Sequence, residues 1–568
     1  MLRRTHFLPV AIAALVGFAC SSPDSVLTDD VVGDDHLPAS ADPAISVKAS
    51  APMVRNLSNR EYLNAVSDLI GERLSADLVK TWTATTQFAG FDSVAWTNYD
   101  GKALRDRTET LELILDKAVA SKTLFTCNAV TGADLVYATC AKTILEPLAM
   151  RAFGRPLTEV EAASLAKVYE EAITLAKTAM TEPPALLKEG IRAALGSILI
   201  APQLLTRVEA PPTPMFTGER DLTAFEIANR ISFMFLNSIP DEQLWAKALD
   251  GSLSKPEVIV AEVNRLIDTK TDLFVQNFMG QWFEFRAYDT TAPTSIERAM
   301  WNESWLTLAD VVKGDLPPAS IVKPGFTYMN QALATHYGLT GKFTESFTKL
   351  VTSDRGGVLQ QGAWLSLSAS PLKTSPMHRG RLVQDRLLCK EIPPPDSSLF
   401  AAIQAASEKI PATASVKERL LAHRSAGEAC RRCHEYMDPI GLGLEGFDQF
   451  GKIRTMYSDG KPVESASDIL GKPFETVLEL SEEIAVLPEY TTCVAEKLAV
   501  FALRTSGPEK ELLSYVTHAY DKKQPGVREM VLRMVQSNAF RRVEHRFTAA
   551  PPPAADAGPE MSTDGGGK

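Results

Sequence analysis

Apolar residues recur every three to four positions along most of this chain, and the breaks between the runs carry capping residues. In RNLSNREYLNAVSDLIG, Ser58 and Glu61 form a capping-box pair. Tyr62, Val66, Leu69 and Ile70 then fall on one helical face, and Gly71 closes the run. FGRPLTEVEAASLAKVYEEA repeats the device with Thr158 and Glu161, and DLTAFEIANRISFMFLNSIPDEQLW repeats it with Thr223 and Glu226. Phe274, Phe278 and Trp282 of FVQNFMGQWFEF stand one helical turn apart, the spacing of a buried stripe rather than a ligand platform. Strand patterns are few and short. Loop-forming composition gathers near 90–100, 209–218, 315–326, 390–397 and 458–473. The pattern predicts an all-α chain of several stacked helical subdomains.

The two ends read differently. MLRRTHFLPVAIAALVGFAC has Arg3 and Arg4, an apolar run too short to span a bilayer, and Ala19 before Cys20. This is the order of a lipoprotein signal, so Cys20 is the expected lipidation site. It predicts an exported chain, anchored in the bacterial cell envelope through its N-terminal lipid only, with Ser21 and Ser22 favouring the outer membrane. Residues 21–51 are rich in Ser, Asp and Pro and read as a disordered acidic tether. The tail PPPAADAGPEMSTDGGGK, within 548–568, reads likewise. A net charge of −11 without a basic cluster argues against nucleic acid as a partner. There is no GxSxG and no GxxxxGK[ST], so neither a serine hydrolase nor a phosphate-binding loop is indicated.

The cysteines carry the chemistry. Of seven cysteines and eight histidines, three stand together in Cys430-Arg431-Arg432-Cys433-His434. CxxCH is the signature of c-type haem attachment: two thiols add to the vinyl groups of one porphyrin edge and the next imidazole turns onto the iron. From composition alone such a match is expected by chance roughly once in a thousand chains of this length. A redox CxxC or half of a zinc site is the rival reading, but the chain holds no second CxxC and no HxxxH. The expected cofactor is one covalent haem c, held by Cys430 and Cys433 with His434 as the proximal iron ligand. Four cysteines remain for an oxidising compartment. The expected disulfides are Cys127–Cys140, around a Gly-containing loop, and Cys389–Cys493, across the haem region.

The succession VRNLSNREYLNAVSDLIG, RAFGRPLTEVE, DLTAFEIANRISFMFLNSIPDEQL, RGGVLQQGAWLSLSASPLKTSPMHRGRLVQDRLLCKEIPPPD and HRSAGEACRRCHEYMDPIGLGLEGFDQFGK resembles a multidomain cytochrome-associated family of planctomycetes and myxobacteria. Its members carry tandem domains of unknown function and a CxxCH motif. The resemblance runs from about Arg55 to Arg541, and its specific pieces are TSPMHRG and CRRCHEYMDPIGLGLEGFD. It implies a haem protein of the cell envelope and names no substrate.

On geometry, Met437 follows His434 by three on one helix and belongs to the proximal side. Pro439 is expected to end that helix and to offer a carbonyl to the Nδ1–H of His434. The distal ligand must come from elsewhere: Met456, His378 in TSPMHRG and His423 in AHRSAGEAC are the candidates, or none of them. Length suggests about three to five domains. The expected division is a signal at 1–20, the tether at 21–51, helical domains at 52–120, 121–208 and 209–348, a C-terminal cytochrome c-like haem-binding region at 349–455, a helical domain at 456–547 and the tail. Three functions fit: electron transfer with a redox partner protein, haem-dependent oxidative or peroxidase-like catalysis on an extracellular substrate, and a structural or binding scaffold that carries a haem domain.

Overall fold

Each capping pair read from the sequence starts a helix in the computed structural model of the chain. The structure describes residues 47–546, except 86, 88, 89, 93–100, 122, 123, 126–130, 214, 291, 293, 353, 354, 371, 372, 394–400, 402, 403, 406, 407, 409, 412, 426, 506 and 519–523. The expected signal segment with Cys20, the tether as far as residue 46, Cys127 and the C-terminal tail lie outside the described residues.

The chain opens with strand β1 (Val54–Asn56) and helix α1 (Asn59–Ile70). Ser58 Oγ accepts from the Glu61 backbone N–H, the Glu61 carboxylate accepts from that of Ser58, and Gly71 ends the helix in the left-handed region at φ 68°. That conformation costs glycine nothing and most other residues something. Helices α2 (Gly101–Ala120), α3 (Cys140–Phe153), α4 (Glu159–Ala176) and α5 (Pro183–Leu199) follow, α4 starting from the Thr158–Glu161 box. Their apolar faces, with Tyr62, Leu69, Ile144, Leu195 and Leu199, form one buried core.

After β2 (Thr206–Val208) and β3 (Gly218–Asp221), helix α6 (Ala224–Phe235) begins a second, larger core, again from its predicted box at Thr223 and Glu226. Helix α7 (Pro256–Asn277) contributes Phe274, and Phe278 and Trp282 just beyond it are buried. Their rings lie 5.7 and 5.6 Å apart in sequence order, so this stripe is core. Further on come α8 (Ile296–Lys313), the antiparallel strands β4 (Phe326–Met329) and β5 (Thr348–Val351), α9 (Pro376–Leu387), α10 (Val416–Arg424) and α11 (Glu428–Gly443). The chain then passes through β6 (Ser467–Ile469), β7 (Lys472–Phe474), α12 (Pro488–Leu503), α13 (Val527–Gln536) and β8 (Arg542–His545).

Among the described residues the fold is mainly α, about 61% helical. Among the described residues four two-stranded antiparallel ribbons depart from the all-α expectation: β1–β2, β3–β8, β4–β5 and β6–β7. Two of them are invisible to a local reading because their strands are distant in sequence. Val54 pairs with Val208 and Gly218 with His545, so backbone partners are found only after folding. The β6–β7 ribbon also occupies part of the expected loop at 458–473. In β1–β2 the opposed pair is Arg55 and Arg207, an unfavourable match of like charges in isolation. Both guanidinium groups lie 5.0 Å from the centre of the Phe233 ring, and Arg55 Nη1 donates to Glu61 at 2.6 Å. Phe233 thereby joins the N-terminal core to the helix that starts the second one.

The disulfide Cys389–Cys493 forms, with a Cα separation of 5.3 Å. Cys389 sits just past α9 with φ 51°, and Cys493 lies in the second turn of α12, which begins at Pro488. The bond closes a loop that contains α10 and α11. In the chain-entropy account a loop near 100 residues is worth about 4 to 5 kcal/mol. Cys140 is also disulfide-bonded, and its expected partner Cys127 lies outside the described residues. No helix among the described residues is long and apolar enough to cross a membrane.

Candidate functional site

The residues CRRCH occupy the first two turns of α11. Cys430 and Cys433 are free thiols, both partly exposed. Between and after them Arg431, Arg432, Glu435 and Tyr436 face solvent, Arg431 pairing with Glu428 at 2.7 Å. His434 is the exception, only 8% exposed. Its ring is packed against that of His423 from α10, with centroids 4.4 Å apart and planes at 48°.

Pro439 does not end the helix. It lies inside α11, which runs on to Gly443. A proline there removes one helical hydrogen bond but leaves the axis intact when neighbouring packing holds it. The carbonyl expected to meet His434 is therefore not the partner of its imidazole. Nδ1 of His434 instead faces Oδ1 of Asp438 at 2.9 Å, one helical turn on. Asp438 is 3% exposed, and its Oδ2 is buried without a hydrogen-bond partner. With Nδ1 engaged by a carboxylate, the tautomer carries its proton there and Nε2 is left as the donor atom for a metal.

The second half of α11 is locked against α9. A Cβ built on Gly380 would lie 1.8 Å from the Met437 carbonyl oxygen, and one on Gly441 would lie 1.8 Å from that of Pro376. Only glycine permits such backbone approach. Arg379, fully buried, closes the C-terminal end of α11. Its Nη1 donates to the carbonyls of Leu444 at 2.7 Å and Phe447 at 2.8 Å and to Glu445 Oε1 at 2.9 Å, while Nη2 donates to the Asp448 carbonyl at 2.8 Å. Burial pulls the Arg379 guanidinium down to about 10, opposed by the charge of Glu445. Glu445 also accepts from Arg454 at 2.8 Å and from Thr374 at 2.6 Å. Thr374, Arg379 and Gly380 all belong to TSPMHRG, so that motif is the socket of the CxxCH helix.

The three distal candidates part company here. His378 is exposed near the start of α9, its backbone N–H capped by Ser375. Met456 is 50% exposed and sits in an isolated bridge with Pro462. Among the described ring and hydrogen-bond contacts of His434, only His423 of the three is present. Burial and the neighbouring His434 hold the His423 imidazole below its ordinary value, with Asp438 opposing. Met437 is buried on the α9 side of the helix, in keeping with a packing role.

Among the described residues no group of three or more His, Cys, Asp or Glu side chains is placed to hold a metal ion. The two thiols and the imidazole of CRRCH thus do not form a chelate by themselves. Thioether attachment with one axial imidazole asks only for the spacing they have, and in that respect the residues fit a covalent haem. A separate open groove lined by Arg60, Asp68, Arg151, Asp241 and Lys270 shares no residue with this motif and mixes both charge signs. Sequence reasoning missed Asp438, although its position four after His434 on a helix was a usable signal. It also missed the pairing of Arg379 with Glu445, which had none.

Comparison with known families agrees with the motifs. Residues 355–457 match the family model described as PSCyt3, Protein of unknown function (DUF1588), and these residues include both TSPMHRG and CRRCH. Residues 222–339 match PSD4, Protein of unknown function (DUF1592). No curated protein and no solved structure is significantly similar to the chain. At this level the expected resemblance is met in part: two stretches of the chain match domain models of the PSCyt and PSD type, whose activity the family descriptions leave open.

Proposed function

We propose that this chain is an envelope-anchored c-type haem protein that exchanges electrons with a partner protein. One observation carries the reading. The described cysteines outside the motif, Cys140, Cys389 and Cys493, are oxidised, whereas Cys430 and Cys433 are free thiols one turn apart beside a buried histidine. In an oxidising compartment two such thiols are either consumed by a cofactor or paired with one another. Attached there, the haem would supply a one-electron iron couple. His434 would give its Nε2 to the iron, Asp438 would keep the ring oriented, and the α9 socket would hold the helix rigid beneath it. The haem-binding unit is taken as 349–455, with the flanking helical units as scaffold. Export and lipidation at Cys20 supply the compartment that the Cys389–Cys493 disulfide calls for. A second reading, a haem-dependent oxidative enzyme, is favoured by the carboxylate at Nδ1 of His434, since anionic support of the axial ligand suits oxidative chemistry better than high-potential electron carriage.

The test is mass spectrometry of the full chain made with a cytochrome c maturation system. One added haem that survives acidified acetone and stains on a denaturing gel is the expected result, with attachment weakened by Cys430→Ala or Cys433→Ala. Haem that washes out, or none at all, overturns the reading.

A further inference from the structure

The group that meets His434 is a carboxylate, and its surroundings leave it undiluted. Asp438 Oδ1 is 2.9 Å from Nδ1, and Oδ2 is buried with no donor of its own. Among the described residues no lysine or arginine forms an ion pair with Asp438; its one such partner is His434. The remaining ring nearby, His423, rests against His434. Arg379, the buried cation of this region, turns its two Nη groups to Glu445 and to three carbonyls and pairs with Glu445 rather than with Asp438. The helix that carries both residues cannot turn to relax the contact, because the backbone at Met437 abuts Gly380 and that at Gly441 abuts Pro376.

A carboxylate accepts a hydrogen bond about twice as strongly as a neutral oxygen, and low local dielectric strengthens it further. Drawing the Nδ1 proton toward Oδ1 makes Nε2 more basic. A more electron-donating axial nitrogen stabilises the higher charge on iron, and hydrogen bonding near the axial ligand is one of the levers that set a haem potential. Resting on the reading of His434 as the iron ligand, we propose that Asp438 is a positioning residue that gives His434 partial histidinate character and so lowers the reduction potential of the site. The couple is Fe(III) plus one electron to Fe(II), the electron supplied by the titrant in the test below. The proton stays between Nδ1 and Oδ1 throughout, and no bond to His434 breaks.

The experiment is a spectroelectrochemical titration of the haem-loaded full chain with dithionite and ferricyanide, comparing wild type with Asp438→Asn, Asp438→Glu and Pro439→Ala. Asp438→Asn is expected to keep its covalent haem and to favour the ferrous state at least tenfold more, which is 59 mV upward for one electron. The Fe–His stretch in resonance Raman should fall with it. Asp438→Glu, which keeps the charge, should stay nearer to wild type, and Pro439→Ala should leave the potential in place. Retained haem with an unmoved potential and stretch in Asp438→Asn overturns the proposal alone. A wild-type chain that takes no haem overturns the parent reading and the proposal with it. Should the Asn variant fail to load, the wild-type stretch decides: a frequency typical of a neutral imidazole ligand overturns the proposal, and a raised one supports it.

Discussion

From Glu428 to Tyr436, the described side chains of α11 are open to solvent at least in part, His434 apart; from Met437 to Gly443 all are buried. The two halves share one helix and one sequence motif, yet they answer to different constraints. The first half holds the two thiols, free and partly open to solvent. The second half makes no exposed contact and is fixed by two glycine contacts and by Arg379. What the difference teaches is that a recognisable motif need not be chemical along its whole length. CRRCH carries the accessible thiols, while MDPIGLGLEGFD and TSPMHRG pack as the lock behind them.

The comparison can be broken from the packed side first. Arg379→Ala removes a fully buried cation that satisfies three carbonyls and Glu445. Breaking a buried pair of this kind costs on the order of 3 to 5 kcal/mol. Urea unfolding of the haem-free chain should show that loss. A shift below about 1 kcal/mol would mean that the α9 socket does not hold α11.

Next in size are Gly380→Ala and Gly441→Ala. Each introduces a methyl group into a backbone oxygen of the facing helix, and overpacking of this sort costs about 1 to 3 kcal/mol. The same substitution at Gly427, where an added Cβ meets nothing within 4 Å, is the control for conformational effects and should cost less. Equal losses at all three sites would remove the close helix contact from the explanation.

A smaller effect separates tertiary locking from purely local stabilisation. Glu161 is held down to about 2, chiefly by its hydrogen bond with Arg155 and also by the Thr158 backbone N–H in the capping box of α4. Its folded value lies below the unfolded one near 4.3. The stability it gives is therefore complete above that pH and is lost as pH falls toward 2. Between about pH 4 and 2, wild type should lose stability that Glu161→Gln does not lose. Thermal melts of both chains across that range, read as a difference, would show it. At neutral pH Thr158→Ala should cost about 1 kcal/mol, the usual worth of an N-cap.

The smallest effect is expected at the thiols themselves. In haem-free protein the double substitution Cys430→Ser, Cys433→Ser should change stability by less than about 0.5 kcal/mol, since neither side chain is part of the packed core. A large loss in the same urea assay would erase the contrast between the two halves of the helix.

Much of this protein was legible in the chain alone because the interactions involved are local. Ser58 with Glu61, Thr158 with Glu161 and Thr223 with Glu226 close hydrogen bonds over three residues, so the helix starts they mark need no knowledge of the fold. The stripe Phe274, Phe278, Trp282 is set by helical pitch, and the three-residue spacing of Cys430 and Cys433 puts them one turn apart on a single helix. Even Cys389–Cys493 could be reached by sorting a small number of cysteines. Tertiary structure alone decided the rest. That Val54 finds Val208 and Gly218 finds His545 depends on long chain paths between distant positions, for which no periodicity exists. That Pro439 stays inside α11 depends on α9 pressing against the helix, and once the helix continues, Asp438 rather than a freed carbonyl reaches His434. Local spacing places groups on a helix face; only the packing of the next helix determines which of them are buried, unsolvated and therefore strong.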